Sequence, residues 1–268
     1  MRHARLILLA AATLALVTVP ATAATNTLSL SGSTSIAPLM TQLISKYKTV
    51  NPQIHFAPLK QGGSDVGVSQ AASGQVSIGM SSRDALPSDP HGLAFTKIAR
   101  DAICVITNPG NPVTNLSQKQ VQQIFTGQVR TWSGVPGAKA TGTIALISRT
   151  ASSGTADAFQ NIFMGPSLRI AGSAVAKQSN GLVQQAIRSD SHAIGFVSFD
   201  FIAGTNAVGY QGVPCTLRNA KSGQYQGVRN FWMITRGAPR GAAKAFLSWV
   251  THSGAARSII SRDWIPLG

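Results

Sequence analysis

Three consecutive stretches decide the fold: Leu28-Ser29-Leu30, then Gly32-Ser33-Thr34-Ser35, then Ile36, Leu39, Met40, Leu43, Ile44 and Tyr47. Alternating leucines predict a short strand, four small residues a loop, and apolar residues three and four apart an amphipathic helix. The order recurs. Ile54-His55-Phe56 precedes Gln61-Gly62-Gly63-Ser64-Asp65 and a helix from Val66 to Ala72, and Val76-Ser77-Ile78-Gly79 runs into Met80-Ser81-Ser82-Arg83. A strand from Ala102 to Thr107 closes on Asn108-Pro109-Gly110-Asn111-Pro112, a turn cluster and the best candidate for a lobe boundary. Beyond it the pattern predicts a helix at Gln118 to Phe125, a strand at Thr143 to Ser148 and a helix with Ala158, Phe159, Ile162 and Phe163 on one face. Strands at Ala193 to Val197 and Phe231 to Thr235 and a helix through Phe246, Leu247, Trp249 and Val250 complete it. This alternation is that of an α/β protein with largely parallel sheets.

The chain has 268 residues, 44% hydrophobic and 12% charged, which excludes a disordered or collagen-like protein and allows one large domain or two lobes. Met1-Arg2-His3-Ala4-Arg5, the apolar run Leu6 to Val19 and Pro20-Ala21-Thr22-Ala23 read as a secretory signal peptide over residues 1–24. That run is too short to span a bilayer, and no Cys near the cut offers a lipid anchor, so a soluble periplasmic or secreted protein is expected. The formal charge is +15, falling to +13 once the two leader arginines are removed. The basic residues are scattered, without a run of three and without interleaved aromatics, so they read as a solvated surface and no nucleic-acid partner is expected.

Three loops set glycine and hydroxyl residues directly before a helix: Gly32 to Ser35, Gly62 to Asp65, and Ser152 to Thr155. Each would present free backbone N–H groups, a hydroxyl donor and the positive end of a helix dipole. One such loop is an ordinary helix cap; three in one chain describe an anion site. Arg149 ends an apolar strand four residues before Ser153, where its guanidinium could fork two hydrogen bonds onto an oxyanion. There is no G-x-x-x-x-G-K-[ST] loop, no G-x-S-x-G elbow and no H-E-x-x-H, and His55, His91, His192 and His252 stand singly. Ser45 to Lys48 matches S-x-x-K without its companion motifs, and the acids are all Asp without paired spacing, so no catalytic residue, metal or cofactor is expected. Cys104 and Cys215 could pair in an oxidising compartment, or Cys104 could be a free buried thiol in its apolar stretch.

The ordered series Gly32-Ser33-Thr34-Ser35-Ile36-Ala37-Pro38, Gly62-Gly63-Ser64, Ser81-Ser82-Arg83, Asn108-Pro109-x-Asn111-Pro112 and Arg149-x-x-x-Ser153-Gly154-Thr155 resembles the phosphate-binding proteins of Pst-type ABC transporters. These have the type II periplasmic solute-binding fold, and the resemblance runs from about residue 28 to Ile265-Pro266-Leu267. It implies a two-lobed clamp, with residues 25–105 and 205–268 as lobe I and 106–204 as lobe II. The crossing hinge strands would be Ala102 to Thr107 and a segment just after Ile194. It also implies a monomer that binds inorganic phosphate and meets a membrane permease transiently, with Thr34, Ser35, Ser64, Arg149, Ser153, Gly154 and Thr155 as ligands.

Many members carry Asp after the third strand, where it accepts the proton of hydrogen phosphate; here Ser82 stands there, followed by Arg83. Both join the candidate ligand set, although Arg83 could instead brace its loop. Asp101 is a candidate substitute acceptor, its alternative being a salt bridge with Arg100 or Arg83. Rival readings are the same fold binding another oxyanion such as sulfate or molybdate, a secreted serine hydrolase using a loop Ser, or attachment to a polyanion through the positive charge.

Overall fold

The computed structural model describes residues 26–267; the expected leader lies outside them. In chain order come β1 (Thr27–Leu28), β2 (Leu30–Gly32), α1 (Ala37–Val50), β3 (His55–Phe56), β4 (Lys60–Gln61), α2 (Ser64–Ser73), β5 (Ile78–Ser81) and β6 (Leu93–Thr107). The middle holds β7 (Asn115–Leu116), α3 (Gln118–Phe125), β8 (Ala145–Arg149), α4 (Gly154–Phe159), β9 (Val175–Lys177), α5 (Asn180–Ser189), β10 (Ala193–Ser198), β11 (Asn206–Tyr210) and α6 (Leu217–Lys221). The chain closes with β12 (Val228–Arg236), α7 (Gly241–His252) and α8 (Gly254–Asp263).

Strands β4, β2 and β5 pair in parallel, as strand–loop–helix units require, and β8 pairs in parallel with β9 and β10. The long strand β6 joins the two groups. Its first part, Leu93 to Ala102, lies antiparallel to β12, and its last part, Ile103 to Thr107, lies between β10 and β11. Only Ala102 to Thr107 is legible as a strand from apolar content, because Lys97, Arg100 and Asp101 interrupt the earlier half.

Two hydrophobic clusters follow this division. One gathers α1, β2, β5, α7 and α8 around Leu39, Met40, Leu43, Tyr47, Phe231 and Phe246. The other gathers Ile103 to Ile106 with Phe125, Trp132, Phe159, Phe163, Phe196 and Tyr225. The changeover falls between Ala99 and Ala102 on the outward pass and between Tyr225 and Phe231 on the return. There Ile103 N donates to Gly227 O at 2.7 Å, which holds the segment before β12 beside β6. Val208 and Ala220 pack in the same cluster as Phe125, Phe159 and Phe196. Cys104 on β6 and Cys215 before α6 form a disulfide, with Cα atoms 5.8 Å apart, which resolves the alternative their spacing left open.

Candidate functional site

The three small-residue loops meet where the two clusters face each other. Gly32 has φ 133°, and a Cβ there would stand 2.3 Å from Met80 O, so only glycine lets β2 turn this tightly against β5. The turn places Ser33, Thr34 and Ser35, all buried, before α1. Ser64, the first residue of α2, accepts from Ser82 N at 3.0 Å through its hydroxyl. Ser153 caps α4 by accepting from Thr155 N at 3.2 Å and Ala156 N at 3.3 Å, which leaves its hydroxyl proton free to donate. A Cβ on Gly154 would lie 2.2 Å from Ser64 Oγ and 2.9 Å from Arg83 N, so glycine is what lets the third loop approach the second.

The loops are locked together by hydroxyls and amides. Ser35 Oγ and Thr155 Oγ1 are 3.0 Å apart, and Asp65 N donates to Ser152 O at 3.2 Å. Ser33 Oγ donates to Ser82 Oγ at 2.8 Å, while the Ser64 and Ser82 hydroxyls are 3.4 Å apart. The expected ligand residues Thr34, Ser35, Ser64, Ser82, Arg149, Ser153, Gly154 and Thr155 are thus brought to one place, all buried.

Two guanidinium groups enter the same cluster. Arg149, at the end of β8, donates to Thr34 Oγ1 (3.3 Å), Asn180 Oδ1 (3.0 Å) and the carbonyls of Lys177 (3.1 Å) and Gln178 (3.0 Å). It is 5% exposed, and among the described residues no carboxylate pairs with it. Burial, with the Arg229 charge nearby, pulls its pKa down to about 9. Since a guanidinium stays protonated in proteins, that lowering expresses an uncompensated buried charge.

Arg229, on β12, donates to Ser35 Oγ (2.8 Å), Thr155 Oγ1 (2.9 Å) and Ser82 Oγ (3.2 Å). Unlike Arg149 it is paired, with Asp101 Oδ2 at 2.8 Å. Burial raises the pKa of Asp101 against the pull of the Arg229 charge and of the Ser198 hydroxyl, which donates to the same oxygen at 2.8 Å. Asp101 therefore does make a salt bridge, but with an arginine other than Arg100 or Arg83.

Arg83 is turned away from the hydroxyl cluster. Its Nε donates to Asp65 at 2.8 Å and its two terminal nitrogens fork onto Asp89 at 2.9 and 2.7 Å. Burial works against its charge, but the hydrogen bonds to Asp89 and Asp65 outweigh it and raise its pKa. This fixes the loop after β5 rather than offering donors to a ligand.

Sequence reasoning missed Arg229 and Asn180. Asn180 Nδ2 donates to Thr34 Oγ1 at 3.0 Å and Ser35 Oγ at 2.8 Å, while its Oδ1 accepts from Arg149 and from Ser198 N, so it ties one guanidinium to the first loop. Nothing in the sequence around a buried Asn at a helix start marks it. Arg229 did leave a signal: in Val228-Arg229-Asn230-Phe231-Trp232-Met233 it falls in phase with Phe231 and Met233, the inward side of a period-two strand.

A family model described as a PBP superfamily domain matches residues 18–253. The phosphate-binding protein PstS of Bacillus subtilis is 27% identical over 252 residues, 91% of this chain and 82% of the relative. Among solved structures, a putative phosphate ABC transporter substrate-binding protein from Clostridium perfringens, with bound phosphate, superposes with TM-score 0.84 at 30% identity, covering 90% of this chain and 100% of that one. An ABC-type phosphate transport receptor from Vibrio cholerae gives 0.72 at 28% identity, over 90% and 100% of the two chains. The chain belongs to the PBP superfamily, with the two-lobed α/β fold of its solute-binding members, and its relatives there are the phosphate-binding proteins of Pst-type ABC transporters.

Proposed function

We propose that this protein captures inorganic phosphate between its lobes outside the cytoplasm and presents it, as a monomer, to an ABC permease. One observation carries the reading: the buried Arg149 guanidinium, which has hydroxyl, amide and carbonyl partners but no carboxylate among the described residues. A buried charge of this kind calls for an oxyanion, and the hydroxyls of Thr34, Ser35, Ser64, Ser82, Ser153 and Thr155 and the backbone around Gly154 are the donors that would solvate it. Arg229, neutralised in part by Asp101, would share the load. Arg83 would act through the loop that carries Ser82.

The changeover of the cores near Ala99 to Ala102 and Tyr225 to Phe231 supports lobes of about 26–100 with 229–267 and about 102–227, hinged where β6 and the segment before β12 run side by side. Opening there would part Thr34 and Ser64 from Arg149 and Ser153, admitting the anion; closure would desolvate it and display a surface for the permease. None of the site hydroxyls is hydrogen-bonded to a His or Lys among the described residues.

A second reading, capture of a fully deprotonated oxyanion, is favoured by Ser82. Its oxygen already accepts from Ser33 and Arg229, which leaves it a donor, whereas an Asp there would accept the proton of hydrogen phosphate. Calorimetry of the mature protein with phosphate, sulfate and arsenate decides. Phosphate binding that survives a large excess of sulfate supports the first reading; displacement by modest sulfate supports the second.

A further inference from the structure

Asn180 opens α5 and is fully buried, yet it does not cap that helix: the preceding Ser179 does, accepting from Leu182 N at 3.2 Å through its hydroxyl. The Asn180 amide turns to the anion site instead, and its neighbours fix which end points where. Its Oδ1 accepts from Arg149 Nη1 at 3.0 Å and from Ser198 N at 3.1 Å, two groups that can only donate. The amide nitrogen therefore faces Thr34 Oγ1 at 3.0 Å and Ser35 Oγ at 2.8 Å, and it donates to both. Being neutral, the amide also holds Arg149 without cancelling its charge.

That direction propagates through the hydroxyls. Thr34 Oγ1 accepts from Asn180 and, at 3.3 Å, from Arg149 Nη2, which fills both of its lone pairs. Its own proton has no acceptor among the described residues, although Thr34 is buried. Ser35 Oγ likewise accepts from Asn180 and, at 2.8 Å, from Arg229 Nη2, and the oxygen in reach of its proton is Thr155 Oγ1 at 3.0 Å. Thr155 Oγ1 already accepts from Arg229 Nη1 at 2.9 Å, so when Ser35 donates to it as well, the Thr155 proton is the one left over. A buried hydroxyl proton without an acceptor calls for one from outside the protein. We propose that Asn180 is a specificity-determining residue of the anion site: by donating to Thr34 and Ser35 it makes the first loop, and Thr155 through Ser35, present protons only, so this side of the site takes the proton-free oxygens of an oxyanion and rejects a P–OH group. It acts through the hydroxyls, as a positioning residue. A carboxylate in its place would reverse the direction: one oxygen would still pair with Arg149, while the other, able only to accept, would draw the Thr34 and Ser35 protons onto itself and leave their lone pairs to the ligand.

The inference rests on the oxyanion reading of the site, and its test separates the two. Phosphate and sulfate affinities are measured by calorimetry at one pH near neutrality on the mature protein and on Asn180→Asp, which keeps the shape of the side chain. Asn180→Asp is expected to lose at least about a hundredfold in sulfate affinity and to shift the ratio of phosphate to sulfate affinity about tenfold toward phosphate, the anion that carries a proton at that pH. A merely structural role predicts that both affinities fall by one factor. An unchanged ratio, or one shifted toward sulfate, therefore overturns the proposal. Should the variant not fold, neutron diffraction from crystals of the unaltered protein decides: deuterium on Asn180 Nδ2 directed at Thr34 and Ser35 supports it, and hydroxyl deuterium directed at Asn180 overturns it. If the unaltered protein binds sulfate and not phosphate, the phosphate reading fails alone, because the loss of sulfate affinity and the neutron map still decide the inference; if it binds neither anion, both fail.

Discussion

Arg149 and Arg229 converge on neighbouring hydroxyls of the first loop: Arg149 donates to Thr34 Oγ1 at 3.3 Å and Arg229 to Ser35 Oγ at 2.8 Å, and Asn180 accepts from Arg149 while donating to Ser35. Only Arg229 has a carboxylate, Asp101, so the two cations differ in what they do to the empty and the filled site.

Replacing the unpaired cation should therefore separate binding from folding. Arg149→Ala should weaken phosphate binding by about 2–5 kcal/mol, well over tenfold, in calorimetry. The uncharged, unbranched Arg149→Met should lose binding equally yet leave the ligand-free melting temperature unchanged or higher, because an uncompensated buried charge is removed. A large fall in melting temperature for Arg149→Met would show that the charge is satisfied within the protein.

Gly154 tests closure. Its added Cβ would stand 2.2 Å from Ser64 Oγ and 2.9 Å from Ser82 C, contacts made only when the second and third loops meet. Gly154→Ala is expected to cost at least about tenfold in phosphate affinity with little change in ligand-free stability, and to abolish the phosphate-induced compaction that small-angle scattering should report for the unaltered protein.

The brace around Arg83 should show in acid. Although burial works against the charge of Asp89, its hydrogen bond from Arg83 holds the pKa below the ordinary value, so the ion pair stabilises the fold above about pH 4 and is lost as pH falls through the depressed folded pKa. Asp89→Asn should lower stability at neutral pH and flatten the acid limb of the unfolding curve. An unchanged acid limb would place the brace outside the folding energetics.

Reduction of Cys104–Cys215, or Cys104→Ala with Cys215→Ala, should destabilise the protein by about 2–5 kcal/mol in denaturant titration. Both residues lie in the core of the middle segment rather than among the site hydroxyls. Phosphate affinity at moderate temperature should accordingly change less than about twofold, because the pair packs in a hydrophobic cluster and holds none of the site hydroxyls.

The sequence by itself determined the local units and the donors they carry. Strand, small-residue loop and helix at Leu30 to Tyr47 and at Ser148 to Phe159 are written in short-range periodicity and capping chemistry, and both appear at those places. That Thr34, Ser64, Arg149 and Ser153 could serve one anion was legible because each sits at a helix start or strand end whose chemistry is local. The tertiary structure decided what depends on distant pairing. It set Arg83 on Asp65 and Asp89, brought Arg229 onto Asp101 and the hydroxyls, seated Asn180 between Arg149 and Ser35, and paired the first part of β6 with β12. A side chain's ion-pair partner is fixed by which strands lie side by side, and in a chain that leaves one lobe and returns, that adjacency joins residues whose local sequences carry no mark of each other.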